Sequence, residues 1–534
     1  MNVTAGRTLA ETIRSTLGPR GMDKMLVGDD GKVVVTNDGA SILDRMDIDH
    51  PAAEALVAVA RSQQSGVGDG TTTAVVLAGE LLAEASELLD QGLHPTTIRD
   101  GYRRAVERAT TELDEGTVTV DPADTDALLD VARTAVTGKW SEDESRRLLS
   151  LVVRAAQAAE HEGIVERRRL TRLPIQGGAV GDAELIEGLA IDLETSSTSL
   201  ASLESALPRR IEHAGIALVD DQLTIESADA VPYVTVESAD QLAAFAGYED
   251  EVARGLARGL AEAGADVVFC QKEIDDEIRG LLAREGIISV ERTRQDEMHK
   301  LERATGAGLV MRVDELTPAH VGRAGVVERR SLADTDLVVV RDTNDEQLSL
   351  VLRGGTDHVI AETKRLVEDC LDDVVLAIEE GAVVPGGGVA ETALAATLRD
   401  AADGIEGREQ LAIEAFADAL EVVPRTLAET AGLDPVDALV DLRTRHHEAP
   451  WTIGIDVLAG ELAPVVDRGV LEPLAVKQQA IRGAAEAAAL LVGIDDAIAV
   501  SGDAAAEHDH EHDHDHGHAG PIEATDGYPW AVGH

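Results

Sequence analysis

Positive charge is in short supply in this sequence. Its 47 Lys and Arg residues, nearly all of them Arg, face 100 Asp and Glu, giving a net charge of −53 and an isoelectric point near 4.5. General nucleic-acid binding needs a basic footprint, so that class loses ground. The acidic excess is spread along the chain, which suits a cytosol of molar salt, where a Debye length of about 3 Å screens self-repulsion. Cysteine is scarce too. Cys270 closes the apolar run "ADVVFC" and Cys370 lies in a helical pattern; two thiols allow neither a disulfide framework nor a four-cysteine zinc site, and both read as buried packing residues. No run of about 18 apolar residues is present. The opening "MNVTAGRTLAETIR" has neither the apolar core of a secretory signal nor its basic flank, so the expectation is a cytoplasmic protein without a membrane span.

Apolar residues make up 44% of the 534 and mean hydropathy is −0.05, enough for buried cores despite 28% charge. That length exceeds one core and predicts about two to four domains. Residues 6–17 read as a helix stopped by Gly18 and Pro19, followed by a strand from Lys32 to Thr36 and a turn at Asn37-Asp38-Gly39. Helical patterns then run to about Leu113, and two more helices fall between Asp121 and Gly163 around "TAVTGKW". The pattern changes over roughly 185–345, where "IEHAGIALVD", "DVVFCQ" and "GIISVER" alternate with helices such as "EIDDEIRGLLAREG", the mark of a separate α/β domain. Helices return up to about Val500, so the α/β part reads as an insertion into an all-helical domain. From Ser501 to His534 the chain is of low complexity. Its "HDHEHDHDHGH" admits two readings, a solvated disordered tail or a divalent-metal binder.

Four glycine-bearing turns carry the chemistry: "TLGPRG" at 16–21, "NDGA" at 37–40, "GDGTTT" at 68–73 and "PGGG" at 385–388. Each can present backbone N–H groups to an anion, most effectively where a helix starts, and each taken singly also reads as an ordinary turn. "GDGTTT" is the strongest, since Thr71, Thr72 and Thr73 offer hydroxyls and amides at one point. A G-x-G-x-x-G fingerprint, a P-loop lysine and a G-x-S-x-G elbow are all absent from the sequence. Dehydrogenase, Walker-type and serine-hydrolase readings weaken accordingly. Asp69 is the oddity: a carboxylate in a phosphate loop repels its ligand unless a cation stands between them.

These motifs in this order, with "GMDKMLV", "IDHPAAEALVAVA", "VGDGTTTAVVLAGELL", "RGGTDHVIAETKRLVEDCLDDV", "IGIDV" and "EAAALLVGIDDAI", resemble a group II chaperonin subunit of the archaeal thermosome family over about residues 2–500. The resemblance implies a multidomain α+β and α/β fold. It consists of a mainly helical equatorial domain (1–115 and 385–500), a small intermediate domain (116–184 and 346–384) and an inserted α/β apical domain (185–345) that binds substrate, ahead of the tail 501–534. It implies ATP and Mg²⁺ as cofactors, with Asp69 as the Mg²⁺ ligand inside the Gly68-Asp69-Gly70 turn and Thr71, Thr72 and Thr73 on phosphate oxygens. Leu17, Gly18 and Pro19 match the loop that wraps the phosphates, and Asp38 stands near the attacking water. Asp369 corresponds to the hydrolytic aspartate, Lys139 to the loop that senses the γ-phosphate, and Gly387 and Glu472 to ribose- and base-side contacts. Apart from the resemblance, Asp38 and Glu472 also read as turn and cap residues, and Lys139 as a surface lysine.

The implied partners are unfolded or partly folded client proteins and identical or paralogous subunits in a double ring, with no nucleic acid and no membrane. Three features depart from the family: Met1 stands almost at the first motif, where relatives carry a further segment used in pairing between subunits; Trp140 replaces a small residue; and "STSLASLESALPRR" is unusually polar. The shortened start and Trp140 keep open a ring subunit that binds ATP but turns it over poorly. A small-molecule α/β enzyme would need a nucleophile and base within 185–345, and none is seen. Group II chaperonins carry a built-in lid, and Glu237 to Val268 match it, with Leu242, Phe245, Val252, Leu256 and Leu260 recurring at helical spacing; an ordinary amphipathic helix packed on the apical sheet is the other reading.

Overall fold

The computed structural model describes residues 2–28, 31, 33–48, 50–138, 140, 142–193, 208–225, 239–332 and 335–494, with the backbone alone at 2, 142, 239–247 and 249. Lys139, most of the polar stretch 197–210 and the tail 501–534 lie outside the described residues.

Two distant stretches of sequence build one helical core. Helices Asn2–Arg14, Pro51–Val67, Thr71–Asp90 and Pro95–Glu115 pack with Val389–Ala402, Glu409–Leu420, Val422–Ala431 and Leu474–Val492. Proline at the first position starts two of them, where its fixed φ costs nothing, and His50 and His94 cap the backbone ahead of it. Thr71–Asp90 is apolar on nearly every side, so it runs through the middle, with Val75, Leu77, Leu81 and Leu82 all buried. Tyr102 meets Phe416 edge-on at 5.4 Å and donates its hydroxyl proton to the Leu81 carbonyl at 2.8 Å. Burying such a ring contributes about 1.5–3 kcal/mol, which ties the N-terminal helices to the C-terminal ones.

A second core gathers Thr125–Val136, Glu142–Ala159 and the long helix Asp357–Glu380. Beside it lies a three-stranded sheet in which Leu348–Gly354 runs parallel to Leu170–Gln176 and antiparallel to Glu184–Glu187. Cys370 is buried in this core, and Cys270 in the sheet described next.

The third unit is a seven-stranded sheet. Its parallel half orders Ile288–Val290, Val267–Cys270 and Arg210–Val219, with Leu309–Val310 also on Arg210–Val219. Its antiparallel half continues through Gly322–Leu332 and Thr335–Arg341 to Leu189–Leu193. Both faces are apolar, so strands such as Val267–Cys270 read as continuous hydrophobic runs and the sheet needs cover on both sides, whereas Gly322–Leu332 carries charge along its partly exposed end.

Helix Ala239–Ala263 supplies part of that cover. Its C-terminal half buries Ala253, Ala257 and Leu260, while Val252 and Leu256 are only half-buried. The apolar face expected through Val252, Leu256 and Leu260 is therefore rotated toward the alanines, which fit a closer approach to the sheet. Of the other residues expected on that face, Leu242 and Phe245 are described by backbone alone.

Several elements differ from the sequence expectation. The first helix starts at Asn2 and ends at Arg14. Strand Val33–Thr36 has an unexpected antiparallel partner, Lys24–Val27. The C-terminal stretch expected to be helical also holds strands Ala382–Pro385, Ile453–Asp456, Glu461–Pro464 and Leu471–Pro473, each too short for a period to register. No described helix is long and apolar enough to cross a membrane.

Candidate functional site

Helix Thr71–Asp90 is preceded by Gly70 in the left-handed region, φ 77°, and no side chain caps it. Its first amides are left for a ligand, at the end where the helix dipole favours an anion. Thr71, Thr72 and Thr73 line the same opening. The loop is held in place by Gln63, which donates from Nε2 to the carbonyls of Asp69 (2.8 Å) and Val476 (3.1 Å). Gly68 ends helix Pro51–Val67 and abuts Asp372, outside the wall of the opening.

The Asn37-Asp38-Gly39 turn rests on this helix start because residue 39 has no side chain: a Cβ there would stand 2.5 Å from Thr72 Oγ1. Asp38 is both a helix cap and a wall of the site. One of its oxygens accepts from the Ser41 N–H at 2.8 Å, and the other lies 3.9 Å from Arg365 Nη1.

Together these loops enclose a cavity of about 730 Å³, which Leu17, Gly18, Pro19, Trp140, Asp369, Gly387 and Glu472 also line. Gly138 abuts the Pro19 carbonyl, so the "TGKW" loop reaches the rim. Every described residue expected at the site lies at this cavity or, for Gly68, directly behind it.

Helix Asp357–Glu380 forms the opposite wall. Arg365, Asp369 and Asp373 follow at four-residue spacing on one face. Arg365 donates to Asp369 Oδ2 at 2.7 Å and to Glu362 Oε1 at 2.7 Å. Burial pushes Asp369 up to about 8; Arg365 opposes the shift, and the charges of Asp69, Asp38 and Asp372 add to it. Burial likewise raises Asp69, although the Gly70 N–H favours its charged form. Asp373 is raised well above the ordinary carboxylate range by burial and then by the charges of Asp69 and Glu472.

Glu472 sits on strand Leu471–Pro473 opposite Val384 and caps no helix, since Leu474–Val492 starts without a side-chain cap. It accepts from Lys477 Nζ at 2.8 Å, while Lys477 also reaches Glu391 Oε1 at 2.6 Å. Burial works to depress Lys477, but the two glutamates outweigh it and hold the ammonium charged.

The chemistry of the cavity follows from this charge count. Asp38, Asp69, Asp369, Asp373, Asp456 and Glu472 line it together with Arg133, Arg146, Arg365, Arg468 and Lys477, and of these cations Arg365 and Lys477, beside the acidic helix face, are engaged by carboxylates of the wall, as Arg468 is by Asp456. One oxygen, Asp373 Oδ1, is buried without a hydrogen-bond partner. A polyphosphate fits beside such a wall only with a divalent cation between them, and an oxygen-only donor set suits a hard one. Gln63, Arg365, Asp373, Glu391 and Lys477 escaped the sequence reading. Arg365 and Asp373 each stand four residues from Asp369 on a helical pattern, a usable signal, whereas nothing local marks Gln63 or Lys477.

The sequence model of the TCP-1/cpn60 chaperonin family matches residues 9–501. A thermosome subunit of Methanopyrus kandleri is 47% identical over 504 residues, 93% of this chain and 91% of that protein. Thermosome subunit alpha of Halobacterium salinarum is 47% identical over 506 residues, 95% of this chain and 89% of that protein. Thermosome subunit 1 of Haloferax volcanii is 44% identical over 500 residues, covering 93% and 88%. With a match that runs through both helical flanks and the sheet between them, the chain belongs to the TCP-1/cpn60 chaperonin family, as a group II chaperonin subunit.

Proposed function

We propose that this subunit hydrolyses ATP in the carboxylate-walled cavity and uses the turnover to enclose and fold client proteins within a ring. The single observation that carries the reading is the pairing of an uncapped helix start, Thr71–Asp90, with an acidic helix face across about 730 Å³. The amides and hydroxyls of Thr71, Thr72 and Thr73 bind phosphate oxygens, and the Leu17-Gly18-Pro19 loop closes over them. Gly387 and Glu472 take the nucleoside side, with Lys477 fixing the Glu472 carboxylate. Asp369 orients the attacking water and accepts its proton as the γ-phosphoryl group leaves ADP, and Asp38 completes the polar wall beside it. Mg²⁺, held at Asp69, would neutralise phosphate charge at the one point where the loop carries a carboxylate.

The domain assignment follows the same reading: an equatorial domain from 1–115 and 385–500 holds the nucleotide, an intermediate domain from 116–184 and 346–384 brings Asp369 to it, and an apical domain at 185–345 binds clients. The partners are unfolded chains and identical or paralogous subunits in a double ring, in the cytoplasm of a halophilic archaeon, without nucleic acid or membrane. The excess of acidic over basic residues supports the salt-adapted setting.

Trp140 at the cavity wall favours a second reading, a ring subunit that binds ATP and turns it over poorly. Steady-state ATPase of the purified protein in molar KCl separates the two. Multiple turnovers per minute that require Mg²⁺ support the first reading, and binding without turnover supports the second.

A further inference from the structure

Arg468 has no place in the roles assigned so far. It ends the short turn Val466–Arg468 and lines the cavity. Asp456 and Glu461 stand opposite each other in the hairpin of strands Ile453–Asp456 and Glu461–Pro464, and Arg468 pairs with both, Nη1 with Asp456 Oδ2 and Nη2 with Glu461 Oε1 at 2.7 Å. Like charges directly opposite on two strands repel, so the guanidinium group ties this hairpin together. That task accounts for its charge. It does not account for its place on the cavity wall, and a lysine ammonium would serve it as well.

The position falls among the residues read as the nucleoside side. Asp456 follows Ile455, whose N–H donates to the Gly387 carbonyl at 2.9 Å, and Val470, two residues beyond Arg468, accepts from the Gly386 N–H at 3.0 Å. Glu472 comes two residues later on strand Leu471–Pro473. Ile455, Val457 and Val470 line the same cavity and bring apolar surface to it. Apolar walls with a few fixed polar groups are what a flat heterocycle needs.

With both terminal nitrogens of Arg468 committed to carboxylates, most of its in-plane donors are used, and what it offers a ligand is the flat face of the guanidinium group. Such a face stacks on an aromatic ring and is attracted by its π electrons. We propose that Arg468 stacks on the nucleobase and so raises the affinity of the site for nucleotide over bare polyphosphate. The proposal rests on the reading of this cavity as the nucleotide site. Because every base has a π face, the contact holds a base without choosing among bases.

The test is calorimetric titration of the full-length protein in molar KCl and Mg²⁺ with the non-hydrolysable β,γ-imido analogues of ATP and GTP and with inorganic tripolyphosphate, for wild type, Arg468→Ala and Arg468→Lys. Arg468→Ala should bind both nucleotide analogues about three- to tenfold more weakly, the range of a partly exposed cation–π contact. Tripolyphosphate should bind it as it binds wild type, since molar salt screens the lost charge beyond about 3 Å; that binding also shows the cavity to be folded. Arg468→Lys keeps the charge for Asp456 and Glu461 but has no flat face, so it should lose nearly as much nucleotide affinity as Arg468→Ala. Unchanged nucleotide affinity in Arg468→Ala, an equal loss for tripolyphosphate, a loss confined to one base, or full affinity in Arg468→Lys would each overturn the proposal. Failure of wild type to bind either nucleotide analogue is a separate result, and it would overturn the reading of the cavity beneath the proposal as well.

Discussion

Arg365 and Asp369 stand one turn apart on helix Asp357–Glu380, and Arg365 Nη1 donates to Asp369 Oδ2 at 2.7 Å while lying 3.9 Å from Asp38 Oδ1. The carboxylate proposed to handle the water is thus held by a cation that also faces the second acidic wall. Asp369→Ala should keep ATP binding, because the Thr71–Thr73 amides are untouched, and lose turnover by about a hundredfold or more. Equilibrium binding of a fluorescent ATP analogue beside steady-state ATPase checks both halves.

The same contact sets a pH dependence. As the proposed proton acceptor Asp369 must be ionised, and its value of about 8 places the acidic limb of kcat near pH 8. Arg365 favours the ionised form, so Arg365→Ala lets burial and the neighbouring Asp69, Asp38 and Asp372 push Asp369 higher still. The limb should move to higher pH, with activity partly restored in alkaline buffer. A profile that merely falls in height, with its limb in place, would show that Arg365 acts only in packing.

Glu421 concerns stability. It is 1% exposed, accepts from Arg399 Nη1 at 2.8 Å and pairs with Arg443 as well. Burial alone would raise it, but the two guanidinium groups outweigh that and hold it below its ordinary 4.5. A depressed carboxylate stabilises the fold above its unfolded value and loses that contribution as pH falls through the folded one. Glu421→Gln should therefore lower stability at neutral pH by about 2 kcal/mol, less than the 3–5 of a fully buried pair because both arginines are partly exposed. The gap to wild type should close below about pH 4.5, which urea midpoints at the two pH values would register.

How far the sequence revealed this arrangement differs from element to element. Long helices such as Thr71–Asp90 and Pro95–Glu115 were legible because their apolar period runs for several turns and Gly or Pro marks their ends. The hairpin Lys24–Val27 with Val33–Thr36 was half missed. Met25, Val27, Val33 and Val35 on it are exposed, so no polar and apolar alternation announces a buried face. At the site, the turns at 16–21, 37–40 and 68–73 stood out because glycine is conspicuous. Lys477, Glu391 and Gln63 did not, since their importance lies in contacts between residues far apart in the chain.

Helix Ala239–Ala263 needs a finer cut than its sequence suggests. Ala253, Ala257 and Leu260 cover the seven-stranded sheet, so replacing the whole helix would open that core. Replacing residues 240–248 by a short Gly-Ser linker spares them. If this stretch belongs to a lid, ATP turnover should persist while an enclosed client loses its protection from added protease; a client still protected would show that closure lies elsewhere.

Assembly should depend on salt. A charge of −53 per subunit is multiplied in a ring, while dilution from 1 M to 0.1 M salt lengthens screening from about 3 Å to about 10 Å. Sedimentation at both salt levels should show the complex intact at the first and dissociated at the second. A ring that survives dilution would argue against a salt-adapted interface.

The central claim is that hydrolysis in this cavity drives folding. Its most direct test follows the recovery of activity of a chemically denatured client enzyme in molar KCl with Mg²⁺ and ATP, using wild type and Asp369→Ala side by side. Wild type should restore activity well above the spontaneous level, and Asp369→Ala should hold the client without releasing it folded. Equal recovery with the two proteins, or none above the spontaneous level with wild type, would contradict the account.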